Sequence, residues 1–193
     1  VLSAHNGVLF LMAWEGMALA GFFLITTEEH KGEVRQAGYI YLIATHTGTL
    51  ALFALFAMLG HTTGSLMFPV AGTLQAAGSS LMFLLGLFGF GMKAGLMPLH
   101  IWLPGAHAAA PSHASALLSG IMIKTGIYGL VRFTSFFVEI PVWWGWTLLV
   151  LGAISGVLGV LLAIAQHDIK RLLAYHSVEN VGIIALGLGL ALL

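Results

Sequence analysis

The chain has 193 residues, 59% of them hydrophobic and 7% charged, and its Lys+Arg count of 7 equals its Asp+Glu count of 7. That composition excludes an ordinary water-soluble domain and belongs to a polytopic helical membrane protein. Zero net charge offers no footing for nucleic acid, and the absence of cysteine excludes disulfides and a cysteine-ligated iron–sulfur cluster on this chain.

Runs near the length a bilayer requires predict an all-α transmembrane helix bundle of about six spans. In chain order they are expected over Ser3–Thr26, Ala37–Leu59, Gly78–Leu99, Ala114–Phe137, Val142–Gln166 and Leu172–Leu193. The sequence starts at Val1 without a basic leader and is still apolar from Gly187 to Leu193. It therefore reads as a piece of a longer membrane protein, with residues 1–193 forming one transmembrane domain. Loops 27–36, 100–113 and 167–171 share one side and hold Lys31, Arg35, Lys170 and Arg171. Loops 60–77 and 138–141 hold no lysine or arginine, so the positive-inside rule places the first set in the cytoplasm. Trp143, Trp144 and Trp146 are then expected at the opposite interface.

Charge inside the spans is the unusual feature. Glu15 lies about twelve residues into span one, roughly 18 Å along its axis. In span three Lys93 follows Gly86, Gly89 and Gly91 and precedes Gly95 and Pro98, a composition that predicts a helix broken beside a charge. Lys124 is about ten residues into span four, again near the midplane. An ammonium in hydrocarbon costs about 2.5–3.5 kcal/mol on insertion scales, so such residues are rare. A Lys93–Glu15 staple between helices, or snorkelling lysines, would be the purely structural accounts. Proton relay through Glu15, Lys93 and Lys124 suits two bases and one acid better, because a carboxylate that moves relative to an amine changes that amine's hold on its proton.

His46 sits mid-span among Thr45, Thr47 and Thr49; a buried histidine bonded to a threonine and a proton carrier are the two readings. His100, His107 and His113 share a loop with Pro98, Pro104 and Pro111. No carboxylate or cysteine accompanies them at zinc spacing, so no metal is expected, and a loop that passes protons from the cytoplasm fits better. Haem would need facing histidines from two spans, and only His46 is deep enough. Glu179 opens span six and reads equally as a wet entry residue or an interfacial one. No cofactor and no catalytic residue are assigned.

The run Lys93-Ala94-Gly95-Leu96-Met97-Pro98-Leu99-His100-Ile101-Trp102-Leu103-Pro104, followed by Ala106 to His113, resembles the signature of the antiporter-like membrane subunits. That family comprises the proton-pumping subunits of respiratory complex I, the Mrp antiporters and the membrane subunits of group 4 nickel–iron hydrogenases. Residues 115–129 and 175–182 resemble the hydrogenase-4 and formate hydrogenlyase branch most closely. The resemblance implies that Glu15 and Lys93 form the family's ion pair, that span three is discontinuous, and that Lys124 is the next relay base. It implies about the fifth to tenth helices of a larger inverted-repeat subunit, working with other membrane and peripheral subunits of a respiratory or hydrogenase complex. The alternatives are an Mrp-type Na+/H+ antiporter subunit and a structural anchor without transport. In one departure, Asn180 stands where many complex I relatives have histidine. In another, the family's second broken helix has no counterpart among these residues.

Overall fold

The computed structural model describes residues 1–76 and 78–193; residue 77, expected in the loop 60–77, lies outside the described residues. Its helices are α1 (Gly7–Ile25), α2 (Gly32–Thr63), α3 (Ser80–Ala94), α4 (Trp102–Ala109), α5 (Ser112–Leu117), α6 (Ile123–Thr134), α7 (Val142–Ile164) and α8 (Ile169–Ala191). A π-helical segment, Leu118–Met122, joins α5 to α6 into one continuous rod. Among the described residues, five helices are long and apolar enough to cross a membrane: α1 with its trailing turn, α2, the α5–α6 rod, α7 and α8.

The third span is the exception, and its chemistry explains why. Ser80–Ala94 is 15 residues long and stops at Gly95, whose φ of 74° is a left-handed conformation that costs glycine nothing. A turn follows, then α4. The region 100–113, expected as a loop, is therefore largely helical. The break leaves backbone groups without helical partners, and distant side chains satisfy them. Trp102 Nε1 donates to the Met92 carbonyl at 2.7 Å, and the Met97 amide donates to Ser155 Oγ on α7 at 2.9 Å. Ser155 is fully buried, so this support is protected from competing solvent.

Packing follows small residues. Lipid is as apolar as a helix face, so helices in a bilayer associate where glycines let backbones approach. A Cβ on Gly89 would stand 2.8 Å from the Gly48 carbonyl, where α2 crosses α3. A Cβ on Gly126 would stand 2.6 Å from the Phe90 carbonyl, where α3 meets α6. Along α7 and α8, Gly145, Gly152 and Gly159 meet Gly189, Gly182 and the Glu179 backbone. Gly126→Val is expected to destabilise the bundle by about 1–3 kcal/mol through forced separation of α3 and α6. A lowered thermal midpoint of the purified protein in detergent checks this, and an unchanged midpoint would show that the crossing adapts.

Both ends of the bundle are defined. Gly32–Gln36, Ala108–Pro111 and Ala165–Arg171 meet around one cavity of about 1170 Å³, so the three loops expected on a common side do share one end. At the other end the Gly7 amide bonds the Leu66 carbonyl and the Val138 amide bonds Leu74. Arg132 lies here over Phe68 at 4.9 Å and donates to Tyr128 and to the Leu2 carbonyl. Trp144 departs from the expected interfacial belt: it is buried and stacked on Phe83 at 4.3 Å, while Trp143 and Trp146 are exposed. The apolar face of span three draws it inward.

Candidate functional site

Lys93 is the fourteenth of the 15 residues of α3, two positions before the break at Gly95, and is 2% exposed. Its Nζ lies 3.4 Å from the Tyr41 hydroxyl and 5.7 and 5.5 Å from the ring centres of Trp14 and Tyr41. Aromatic faces attract a cation through their quadrupoles, and more strongly away from water. Tyr41 is itself held: its hydroxyl donates to the Ala18 carbonyl at 3.1 Å, in space that exists because position 21 is glycine. A Cβ there would lie 2.4 Å from the Tyr41 oxygen. Helices α1, α2 and α3 thus build the pocket together. Tyr41 and Trp14 were not singled out in the sequence, and Gly21, a gap opposite a phenol, was the available signal.

The carboxylate stands differently from expectation. Glu15, the ninth of the 19 residues of α1, makes no salt bridge to Lys93. Its Oε2 lies 3.3 Å from His46 Nε2 on α2, while Oε1 is buried without a hydrogen-bond partner. The ion pair implied by resemblance is therefore replaced in this conformation by a Glu15–His46 pair, with Lys93 on Tyr41. His46 also departs from a buried, threonine-bonded histidine. Its side chain is 47% exposed, Nδ1 bonds the Leu42 carbonyl of its own helix at 3.0 Å, and Thr45, Thr47 and Thr49 bond helix carbonyls instead. A hydroxyl four residues after a carbonyl finds it without leaving the helix, which leaves the imidazole free to reach α1.

Lys124 is the thirteenth residue of the 23-residue α5–α6 rod, so its central depth stands. It is exposed on the surface of this chain rather than buried within it, and Nζ donates to the Ser119 carbonyl at 2.9 Å. That bond runs five residues back, into the π-helical segment, where the wider turn displaces the normal i→i−4 partner. The Ser119 hydroxyl meets Ser177 of α8 at 2.8 Å.

The histidines after the break are not brought together. His107 is buried on α4 with Nδ1 2.8 Å from Ser115 Oγ, His100 stands partly buried near Tyr175, and His113 is exposed. Among the described residues no three His, Cys, Asp or Glu side chains converge as a metal site would need. Glu179 is the eleventh of the 23 residues of α8, midway along it, because the helix starts earlier than expected, at Ile169. Its carboxylate lies 2.6 Å from His176 Nδ1. At the charged end, Lys31 bonds Glu28, and Lys170 caps the Ala110 carbonyl at 2.9 Å.

Fold and site together define an integral membrane protein in which a broken helix carries a buried lysine between helices bearing a carboxylate and a second lysine. The chain belongs to the family described as NADH:quinone oxidoreductase/Mrp antiporter, TM, whose model matches residues 4–192. It is 45% identical over 197 residues to hydrogenase-4 component B of Escherichia coli, covering 100% of this chain and 29% of that protein. It is 39% identical over 191 residues to formate hydrogenlyase subunit 3 of the same organism, covering 98% of this chain and 30% of that one. A chain of the Mrp complex from Dietzia sp. superposes with a TM-score of 0.88 at 29% identity, covering 96% of this chain and 21% of that one. The chain thus spans less than a third of the length of these relatives.

Proposed function

We propose that these residues form the proton-carrying core of a membrane subunit in an energy-converting oxidoreductase complex, of hydrogenase or NADH–quinone oxidoreductase type. Residues 1–193 act as one proton-translocation domain, and Glu15, Lys93 and Lys124 carry the proton. The observation behind this reading is a lysine buried at 2% exposure without a carboxylate in contact, beside a glutamate oxygen that is buried and unpartnered. A staple would place the two in contact. A switch needs the carboxylate to have two stations, and His46 provides the second. With Glu15 turned to Lys93, the ammonium keeps its proton; with Glu15 on His46, the proton is free to leave toward Lys124. His100, His107 and His113 lead from the charged end toward the break and serve proton entry.

The relatives' names speak for the redox-linked reading over an Mrp-type antiporter, since hydrogenase-4 and formate hydrogenlyase subunits are 45% and 39% identical against 29% for the Mrp chain. The partners are then other membrane and peripheral subunits of such a complex, in a bacterial or archaeal cytoplasmic membrane. Loops 27–36, 100–113 and 167–171 face the cytoplasm, supported by their four basic side chains and the charged cavity they share.

Glu15→Gln tests the switch. It keeps the shape of the side chain and removes its charge, so proton uptake by vesicles carrying the full-length protein in its complex is expected to fall roughly tenfold. Full uptake in this variant and in Lys93→Met would remove the relay assignment.

A further inference from the structure

The break after α3 is held by a helix that carries no charge. Between Ala94 and Trp102 the chain leaves one helix and enters the next, and backbone amides released there need acceptors away from water. The Gly95 and Leu96 amides donate to the Gly91 carbonyl, and the Leu99 amide donates to the Leu96 carbonyl at 2.6 Å. Pro98 has no N–H to place. The Met97 amide instead donates across the bundle to Ser155 Oγ, fifty-eight positions on, at 2.9 Å.

Ser155 is suited to that task in a way its neighbours on α7 are not. The helix runs through 23 residues with no charged side chain, and its other hydroxyl, on Thr147, bonds the Trp143 carbonyl of the same helix at 2.7 Å. Ser155 is fully buried and donates its one hydrogen to the Leu151 carbonyl at 2.8 Å, which leaves its lone pairs for the Met97 amide. Its own backbone is fixed by α8: a Cβ on Gly182 would stand 2.9 Å from the Ser155 carbonyl carbon. The same helix pair takes the other end of the segment, where Lys170 Nζ donates to the carbonyl of buried Ala110 at 2.9 Å. Residues 97–110 are thus bracketed by α7 and α8.

Lys93 stands four positions before Met97. The last turns of α3 meet α2 and α6 through apolar and glycine contacts, which resist separation of the helices more than rotation about their axes. A hydrogen bond is directional, so the one to Met97, just past the last turn, opposes that rotation. Rotation matters because Lys93 Nζ lies 3.4 Å from the Tyr41 hydroxyl, near the limit of hydrogen-bond reach. We propose that Ser155 is a positioning residue for Lys93: through the Met97 amide it sets the rotation of the last turn of α3, and with it where the amine sits between Tyr41, Trp14 and Glu15. The inference rests on the relay reading above. Ser155 takes no part in moving the proton; both of its bonds are to backbone.

The test uses the full-length protein in its assembled complex. Ser155→Ala removes one oxygen and little volume, leaving the Met97 amide buried without an acceptor. Amide hydrogen exchange in residues 95–101 is expected to quicken about tenfold in this variant, while α7 and α8 exchange as in the parent. Proton uptake by vesicles, expressed per assembled complex, is expected to fall about tenfold through misplacement of Lys93. Ser155→Thr keeps the hydroxyl and is expected to return both quantities to within about twofold of the parent. Parental uptake in Ser155→Ala, with Lys93→Met inactive, overturns the inference and leaves the relay standing. Unchanged exchange at 95–101, a fall in uptake that only follows loss of assembled complex, or an assembled Ser155→Thr variant without recovery each overturns it as well. Where the extra methyl of threonine blocks assembly, the two Ser155→Ala measurements decide alone. If Lys93→Met retains uptake, the relay and this inference fall together.

Discussion

Lys93→Met is expected to reduce proton uptake by roughly a hundredfold, the scale of removing a proton donor from its path, while the complex still assembles. Methionine matches the reach of the lysine stem and is apolar, so the pocket between Trp14 and Tyr41 stays filled. Stability is not expected to fall. A buried ammonium costs about 2.5–3.5 kcal/mol on insertion scales, and the aromatic contacts at 5.5 and 5.7 Å offset part of that cost. Removing charge and contacts together leaves the balance level or improved. The measurement is paired: uptake in vesicles, and the thermal midpoint of the purified complex. Uptake at the parent level with the midpoint unchanged would make Lys93 a passenger, and a collapsed midpoint would make it a structural staple after all.

Lys124 offers a sharper discrimination, because its side chain is exposed and packs against little in this chain. Lys124→Met is expected to lower uptake at least about tenfold, with no cost in packing. Lys124→Arg is the more informative variant. Arginine keeps the positive charge and reaches the Ser119 carbonyl, yet it does not give up its proton in a protein. A relay therefore fails with arginine as it fails with methionine. If Lys124→Arg supports full uptake, the position supplies only electrostatic attraction, and the proton does not pass through it.

The legible part of the site was its inventory of charges and their depth. Glu15, Lys93 and Lys124 are anomalous in any apolar run, and counting residues from a span's start locates each one. The break after Lys93 was legible for a local reason, Gly95 and Pro98 being residues that end a helix. The length of span two was underestimated, because Gly32–Glu33 and His61–Thr63 are polar but helical, and hydropathy sees only the lipid-matched portion. Direction of side chains was not legible. Nothing local distinguishes a Glu15 that turns to Lys93 from one that turns to His46, thirty-one positions away. The π-helical segment was hidden too, since Leu118–Met122 contains no residue that demands it.

Composition and order alone therefore determined the class of molecule, the approximate spans, the broken third helix and the depth of the charges within the spans, because these depend on length and local chemistry. Tertiary structure decided which groups meet: Tyr41 against Lys93, His46 against Glu15, Ser119 against Ser177. In water, the apolar stripe of a helix announces its inward face. In lipid both faces are apolar, so rotation about the axis is set by where glycines such as Gly48, Gly89 and Gly126 let backbones touch, and that becomes visible only when the helices are packed.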